Sequence, residues 1–304
     1  MNPVRRRFVA PVSFGLGDLV VSLPVVQAAV TAGRCSGTET WLVTRSPGQA
    51  VLAERVSGLA GTVAEDDIAI GASDALVDLR DHPLQRDYWW GSPEFEAAYG
   101  PLSINEIIAR IGADLGVVGD FSTPVPLESM HRPDAEGLVL FVADADGTTK
   151  RWAVKRWVEL ATVLGRRGLD VAVVTRGEGG NALVGRGLPS FVAATPGDAV
   201  DALSACRAVV GVDTGLTHIA AQQGTPTVTL SRKPAVYFRA WDHTRLVSGS
   251  VCDPACGRAE KEYAYNQRVN LSGMPPPPRV CPAESGCLDA IEPDSVLNTL
   301  NELC

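Results

Sequence analysis

Gly211-Val212-Asp213-Thr214-Gly215-Leu216-Thr217-His218 is the stretch on which the reading of this chain turns. It closes an apolar run, 208–212, and opens a short helical pattern over 217–223. In a parallel α/β sheet, an apolar strand followed by small polar residues and a helix start makes an anion loop. Backbone N–H groups at the helix N-terminus point at the ligand, and nearby hydroxyls help to cradle it. Asp213, Thr214, Gly215 and His218 are therefore candidates for binding a phosphate, with His218 in the first helical turn. The same residues also fit a purely structural turn, with Asp213 and Thr217 as caps and His218 as a partly buried histidine. The density of small polar groups behind an apolar strand tips the balance towards a ligand.

Working outward, the strand–loop–helix pattern recurs. The first half predicts strands at 8–12, 41–44 and 75–78, with helices at 18–32, 47–56 and 104–111. The second half predicts strands at 138–142, 169–175 and 225–230, with helices at 153–164 and 196–206 and a closing helix at 293–303. Such alternation points to an α/β fold of two Rossmann-like domains. Residues 121–133 carry Pro124, Pro126 and Pro133 without a clear period and read as a linker. This sets an N-terminal domain at 1–132 and a C-terminal domain at 133–304, expected to face each other across a cleft. Ligands of open α/β sheets sit at the carboxyl ends of strands, so the chemistry is expected in loops that follow strands.

Three more such loops hold candidates. In 146–152, Lys150 can reach a phosphate and Thr149 can donate a hydroxyl, although taken alone the loop reads rather as a solvated turn with a surface lysine. In Thr175-Arg176-Gly177-Glu178-Gly179, Glu178 is placed to accept ribose hydroxyls, or is an exposed turn charge. After the first strand, Gly15-Leu16-Gly17-Asp18 opens a helix, and by spacing alone Asp18 reads as its cap. The third glycine of a dinucleotide fingerprint is absent there.

The bulk numbers narrow the classes. A chain of 304 residues with 45% hydrophobic and 20% charged residues is an ordinary globular protein, large enough for two cores. A net charge of −8 argues against nucleic acid as a partner. No segment approaches the roughly 18–20 apolar residues that a transmembrane helix needs. Arg5, Arg6 and Arg7 followed by an apolar stretch up to Ala32 imitate the signal peptide of an exported binding protein, but Asp18, Gly15, Gly17 and Pro24 interrupt it, and the expected location is the cytoplasm. Seven cysteines cannot all pair within one chain. Cys252, Cys256, Cys281 and Cys287 fall in one irregular Cys- and Pro-rich segment, 251–287, and either make a structural zinc or iron site of four thiolates or stay unligated, with at most one adventitious disulfide.

Taken in order, Gly17-Asp18-Leu19 through Pro24, Lys150-Arg151-Trp152, Asp213 through Ala221, and Cys287-Leu288 before the closing helix resemble the bacterial heptosyltransferase family. The resemblance implies the glycosyltransferase-B fold and inverting transfer from an ADP-activated heptose, without a metal at the diphosphate. It implies Asp18 as general base on the acceptor side, next to Gly17. Lys150 and Thr149 would hold the donor phosphates, Thr214 and Gly215 would add donors from the helix N-terminus, Asp213 and His218 would shape the same pocket, and Glu178 would bind the ribose. Some protein-modifying relatives look similar at the four cysteines, on iron. The loop Ser231-Arg232-Lys233-Pro234 departs from the family's usual turn and leaves the donor sugar open. Residues 79–100 hold Trp89 and Trp90, which either stack on a less anionic acceptor or pack the domain. The acceptor is left open among glycan, protein and small metabolite. The competing expectation is a non-catalytic nucleotide-sugar-binding or scaffolding protein of the same fold.

Overall fold

Arg5–Ala10 forms β1, and its last three residues, Phe8, Val9 and Ala10, are buried. The computed structural model describes residues 5–80, 82, 102–145, 150–231, 241–249 and 288–304. These divide into two compact units, one running to Val125 and the other starting at Pro126.

In the first unit β1 is followed by α1 (Leu16–Ser36), β2 (Thr38–Thr44), α2 (Pro47–Ala53), β3 (Gly61–Ala64), β4 (Ala75–Asp78) and α3 (Ile104–Asp114). All strand pairs are parallel, in the order β3-β2-β1-β4. Helix α1 is longer than the sequence pattern predicts. Asp18 lies inside its first turn rather than before it, Pro24 is buried without ending it, and Gly37 closes it in the left-handed conformation at φ 67°. A proline in a helix removes one N–H from the ladder, a loss that burial of an apolar face can offset. The expectation that no stretch reaches membrane-spanning length is corrected here. By length and composition the 21-residue helix Leu16–Ser36 is apolar enough to cross a membrane, with a mean hydropathy of 1.5. Its most apolar window is 61% buried, with Leu19, Val20, Leu23, Val25 and Val26 inside the unit.

The second unit runs β5 (Val139–Val142), α4 (Val154–Arg166), β6 (Val171–Val174), α5 (Glu178–Val184), β7 (Ser190–Phe191), α6 (Pro196–Ala205), β8 (Ala208–Val212), α7 (Gly215–Gln222), β9 (Thr227–Ser231), β10 (Thr244–Ser248) and α8 (Pro293–Asn301). Its six strands are parallel, in the order β10-β9-β8-β5-β6-β7. Strands β5, β8 and β9 are buried throughout, as central parallel strands covered on both faces must be. Helix α4 buries Trp157, Leu160 and Leu164, a stripe at helical spacing. Trp157 meets Phe141 at 4.9 Å and Trp152 edge-on at 5.0 Å, and Trp152 Nε1 donates to the Ile291 carbonyl at 3.0 Å. That bond ties the segment before α8 to the core. Helix α5 and strands β3, β7 and β10 are additions to the sequence reading. The glycines at 177, 179 and 180 had marked a turn, and the strands are short or lie at sheet edges.

The strand order fixes where a ligand can go. Numbered within its own unit, the second sheet runs 6-5-4-1-2-3, the doubly wound order whose direction of winding reverses between β5 and β8. The crevice outside the carboxyl ends at that reversal is the general ligand position. Register pairs Val142 with Gly211, so both strands end side by side. In the first unit the corresponding reversal lies between β1 and β4.

Candidate functional site

At the carboxyl end of β8 the chain turns through Asp213 and Thr214 into α7. Thr214 is extended (φ −153°, ψ 163°) and its carbonyl accepts from the His218 N–H at 3.1 Å. Thr217 folds its hydroxyl back onto the Val212 carbonyl at 2.6 Å and is fully buried. Gly211 makes this possible, because a Cβ there would overlap Thr217 Oγ1 and crowd Val142 at 3.1 Å. The Thr214 side chain makes no capping bond to α7. The first N–H groups of α7 have no partner within the helix, as at every helix start, so the turn presents donors at the sheet's reversal point.

Lys150 comes to this turn from the loop after β5. Its Nζ lies 2.9 Å from Asp213 Oδ2, and His218 Nε2 lies 3.3 Å from Oδ1 of the same carboxylate. Burial pushes the Asp213 carboxyl up, but the Lys150 charge and the His218 hydrogen bond outweigh it and hold the group well below the usual carboxylate range. Asp213 therefore stays ionised and fixes both cationic or donor side chains in place. The next residue, Arg151, reaches the other way, with its guanidinium 3.0 Å from Glu178 Oε2. Because β5 lies between β8 and β6, one dipeptide links the turn after β8 to the turn after β6. Lys150, Asp213, Thr214, Gly215 and His218 are thus brought together, and Glu178 joins them through Arg151. Glu178 itself starts α5 with its side chain 83% exposed. Thr149 lies outside the described residues.

A residue with no mark in the sequence organises the Glu178 turn. Asp144, two residues beyond β5, accepts backbone N–H groups from Arg176 (3.1 Å), Gly177 (2.8 Å) and Gly180 (2.9 Å). The only trace of this in the sequence is the glycine triplet around Glu178.

In the first unit, Asp18 sits at the third position of α1 and its Oδ2 accepts from the Gly15 N–H at 3.1 Å. Gly17 lies in the same first turn. The loop before it is pinned from several sides. Buried Gln49 donates from Nε2 to the Ser13 and Gly15 carbonyls, each at 2.9 Å, and takes the Arg45 N–H on Oε1. Ser46 holds the Phe14 carbonyl at 3.0 Å, and Ser22 accepts from the Val12 N–H at 3.2 Å. Phe14 is left half exposed.

Beside this loop, at the ends of β2 and β4, lies a charged cluster that the sequence does not announce. Arg45, almost wholly buried, donates to the Pro11 carbonyl at 2.6 Å, bridges both oxygens of Asp78 at 3.2 Å and contacts Glu65 at 3.1 Å. Arg80 pairs with Asp78 at 2.9 Å and with Glu65. Burial pushes Asp78 up, yet the hydrogen bonds from Arg80 and the charge of Arg45 hold it below its ordinary range. Trp89 and Trp90 lie outside the described residues, as do Cys252, Cys256, Cys281 and Cys287. Among the described residues, no group of His, Cys, Asp and Glu side chains is placed to hold a metal ion.

Residues 113–262 match the model of glycosyltransferase family 9 (heptosyltransferase). No curated protein matches the sequence. Among solved structures, the chain is similar to a family 9 glycosyl transferase from Veillonella parvula, with a TM-score of 0.69 at 15% identity, over 98% of this chain and 96% of that one. The E. coli heptosyltransferase WaaC with ADP gives a TM-score of 0.66 at 14% identity, over 98% and 100%. TibC, an iron-containing dodecameric glycosyltransferase from enterotoxigenic E. coli, gives 0.65 at 18%, over 98% and 78%. At these identities the likeness establishes the fold, the two-unit glycosyltransferase-B architecture with a parallel sheet in each unit.

Proposed function

We propose that this glycosyltransferase, whose residues 113–262 match the family 9 (heptosyltransferase) model, moves a heptose or related sugar from ADP-heptose to an acceptor hydroxyl, with inversion at the anomeric carbon. The observation that carries this reading is the meeting of Lys150 and His218 on Asp213 at the start of α7, at the reversal point of a doubly wound sheet. One solved structure of similar fold holds ADP, and another, TibC, is a complex with ADP-D-β-D-heptose. Both ligands carry a diphosphate on an adenosine, which fits an anion turn beside a ribose-reading carboxylate.

The chemistry follows from those groups. In an inverting displacement a base removes the acceptor proton, and the freed oxygen attacks the anomeric carbon from the face opposite the diphosphate. The bond from that carbon to the diphosphate oxygen breaks, and ADP leaves carrying the electron pair. Asp18 is the proposed base, a carboxylate in the first turn of α1, behind a loop stiffened by Gln49, Ser46 and Ser22. Charge building on the leaving diphosphate needs donors aimed at it beforehand. Lys150, the N–H groups of Thr214 and Gly215 and the Thr214 hydroxyl take that role. Asp213 positions Lys150 and His218, and Thr149 adds a hydroxyl. Glu178 accepts the ribose hydroxyls. One charge-assisted hydrogen bond is worth about 1.5–3 kcal/mol, so a lysine and a helix N-terminus together can do the work of a metal at this position.

On the acceptor side Gly17, Trp89 and Trp90 are proposed to border the incoming glycan, protein or small metabolite. The four cysteines at 252, 256, 281 and 287 are proposed to hold a structural zinc or iron. Stoichiometric metal in freshly purified protein, lost in Cys281→Ser, supports that site, and metal-free wild-type protein removes it. The function is tested by incubating the protein with ADP-heptose and following ADP release. Turnover that Lys150→Met and Asp18→Asn each lower steeply supports the enzyme. Tight ADP binding with no turnover under any condition would instead make the protein a nucleotide-sugar binder.

A further inference from the structure

The amides that open a helix after a parallel strand commonly receive a ligand anion, yet at the turn after β6 the protein supplies its own. Both carboxylate oxygens of Asp144 are engaged: Oδ2 accepts from the Arg176 and Gly177 N–H groups at 3.1 and 2.8 Å, and Oδ1 accepts from Gly180 at 2.9 Å. The three glycines are what lets the turn close so tightly. A Cβ on Gly177 would lie 3.2 Å from Asp144 Oδ1, and one on Gly180 would lie 2.9 Å from Oδ2 and 3.2 Å from the Thr175 Cα. One on Gly179 would lie 2.8 Å from the Ala143 carbonyl oxygen. Glu178, held between these glycines, is free to point outward, where Arg151 meets it at 3.0 Å.

We propose that Asp144 is a positioning residue: a built-in anion that occupies the amides of the 176–180 turn, keeps a donor phosphate off them, and so sets Glu178 to read the ribose. This rests on the reading of Glu178 as the ribose acceptor given above. The division of labour is electrostatic. At the turn after β6 the Asp144 carboxylate already occupies the amides a diphosphate would need, while at the turn after β8 the carboxylate of Asp213 is paired with Lys150 beside the opening amides of α7. The diphosphate is steered to α7 and the ribose to α5, which orients the whole nucleotide.

The test uses the intact chain and three soluble probes: ADP, 2′,3′-dideoxy-ADP and inorganic pyrophosphate, each titrated by calorimetry. Wild-type protein is expected to prefer ADP over the dideoxy analogue by roughly tenfold or more, the worth of a charge-assisted hydrogen bond. Glu178→Gln and Asp144→Asn should each bring that ratio close to one and leave pyrophosphate affinity within about twofold. A merely structural Asp144 would weaken all three probes together or none, and either pattern overturns the proposal. If Asp144→Asn keeps the wild-type ratio while Glu178→Gln loses it, the proposal fails and the donor site stands. If wild-type protein does not distinguish ADP from its dideoxy analogue, the ribose reading of Glu178 is itself wrong. Amide hydrogen exchange on wild-type protein needs no variant. Slow exchange at Arg176, Gly177 and Gly180 supports the contact, and unprotected exchange there overturns it.

Discussion

Replacing Lys150 with methionine separates binding from stability at the donor turn. Methionine keeps much of the unbranched stem and removes the ammonium. In the folded chain that ammonium sits 2.9 Å from Asp213 Oδ2, and the two side chains are 36% and 27% exposed. A pair this open to solvent contributes at most about 1 kcal/mol to stability. For a domain of this size such a loss lowers the melting temperature by only about 2–4 °C. Nucleotide binding should suffer much more. Losing one charge-assisted hydrogen bond to a diphosphate costs about 1.5–3 kcal/mol, or roughly 10- to 150-fold in Kd. The upper end is expected, because Asp213 then faces the diphosphate with one counter-charge fewer. Calorimetric titration with ADP gives the affinity, and thermal unfolding without ligand gives the stability. An ADP affinity within twofold of wild type, or a loss matched by equal destabilisation of the ligand-free protein, refutes the assignment.

Four further outcomes are expected. Asp18→Asn should keep its melting temperature within a few degrees, since an amide oxygen can still cap Gly15, while ADP release from ADP-heptose falls by about 100-fold or more; near-full turnover would remove Asp18 as the base. Gly211→Ala should cost about 1–3 kcal/mol in urea unfolding, because its methyl group has no room beside fully buried Thr217, and an unchanged midpoint would contradict the packing. Cys206 is buried and its thiol is pushed up to about 12, so peptide mapping after alkylation of folded protein near pH 8 should find Cys35 and Cys304 labelled and Cys206 not. Asp78 and Asp213 both titrate below their ordinary range when folded, so the stability they contribute is complete above about pH 5 and is lost as the pH falls through the lowered values; a urea midpoint that rises on acidification would reverse that sign.

The fold was legible because its signals are local. Apolar runs of four to seven residues, most of them followed by small polar residues and a helix start, placed β1, β2, β4, β5, β6, β8 and β9 to within a few residues. The donor turn was legible for the same reason, as strand, anion loop and helix lie in one stretch at 208–222. The helical pattern at 18–32 stops short of α1 because glycine counts against a helix by propensity, whereas Gly17 lies in its first turn, Gly33 is buried within it and Gly37 closes it. Helix α5 was missed for a related reason. Its glycines are needed for close approach to Asp144, and nothing near residue 178 in the sequence points to residue 144. Gln49, 34 and 36 residues from the carbonyls it holds, and Arg45, 33 residues from Asp78, belong to the same class. Such partners become visible only when the sheet brings strand ends together.

The account depends most on where the diphosphate binds, and a structure of the intact chain with ADP measures that directly. The β-phosphate is predicted within hydrogen-bonding reach of Lys150 Nζ and the backbone amides of Thr214 and Gly215. A diphosphate seated instead on the 176–180 turn, or at the start of α1 beside Gly17, would contradict the central claim.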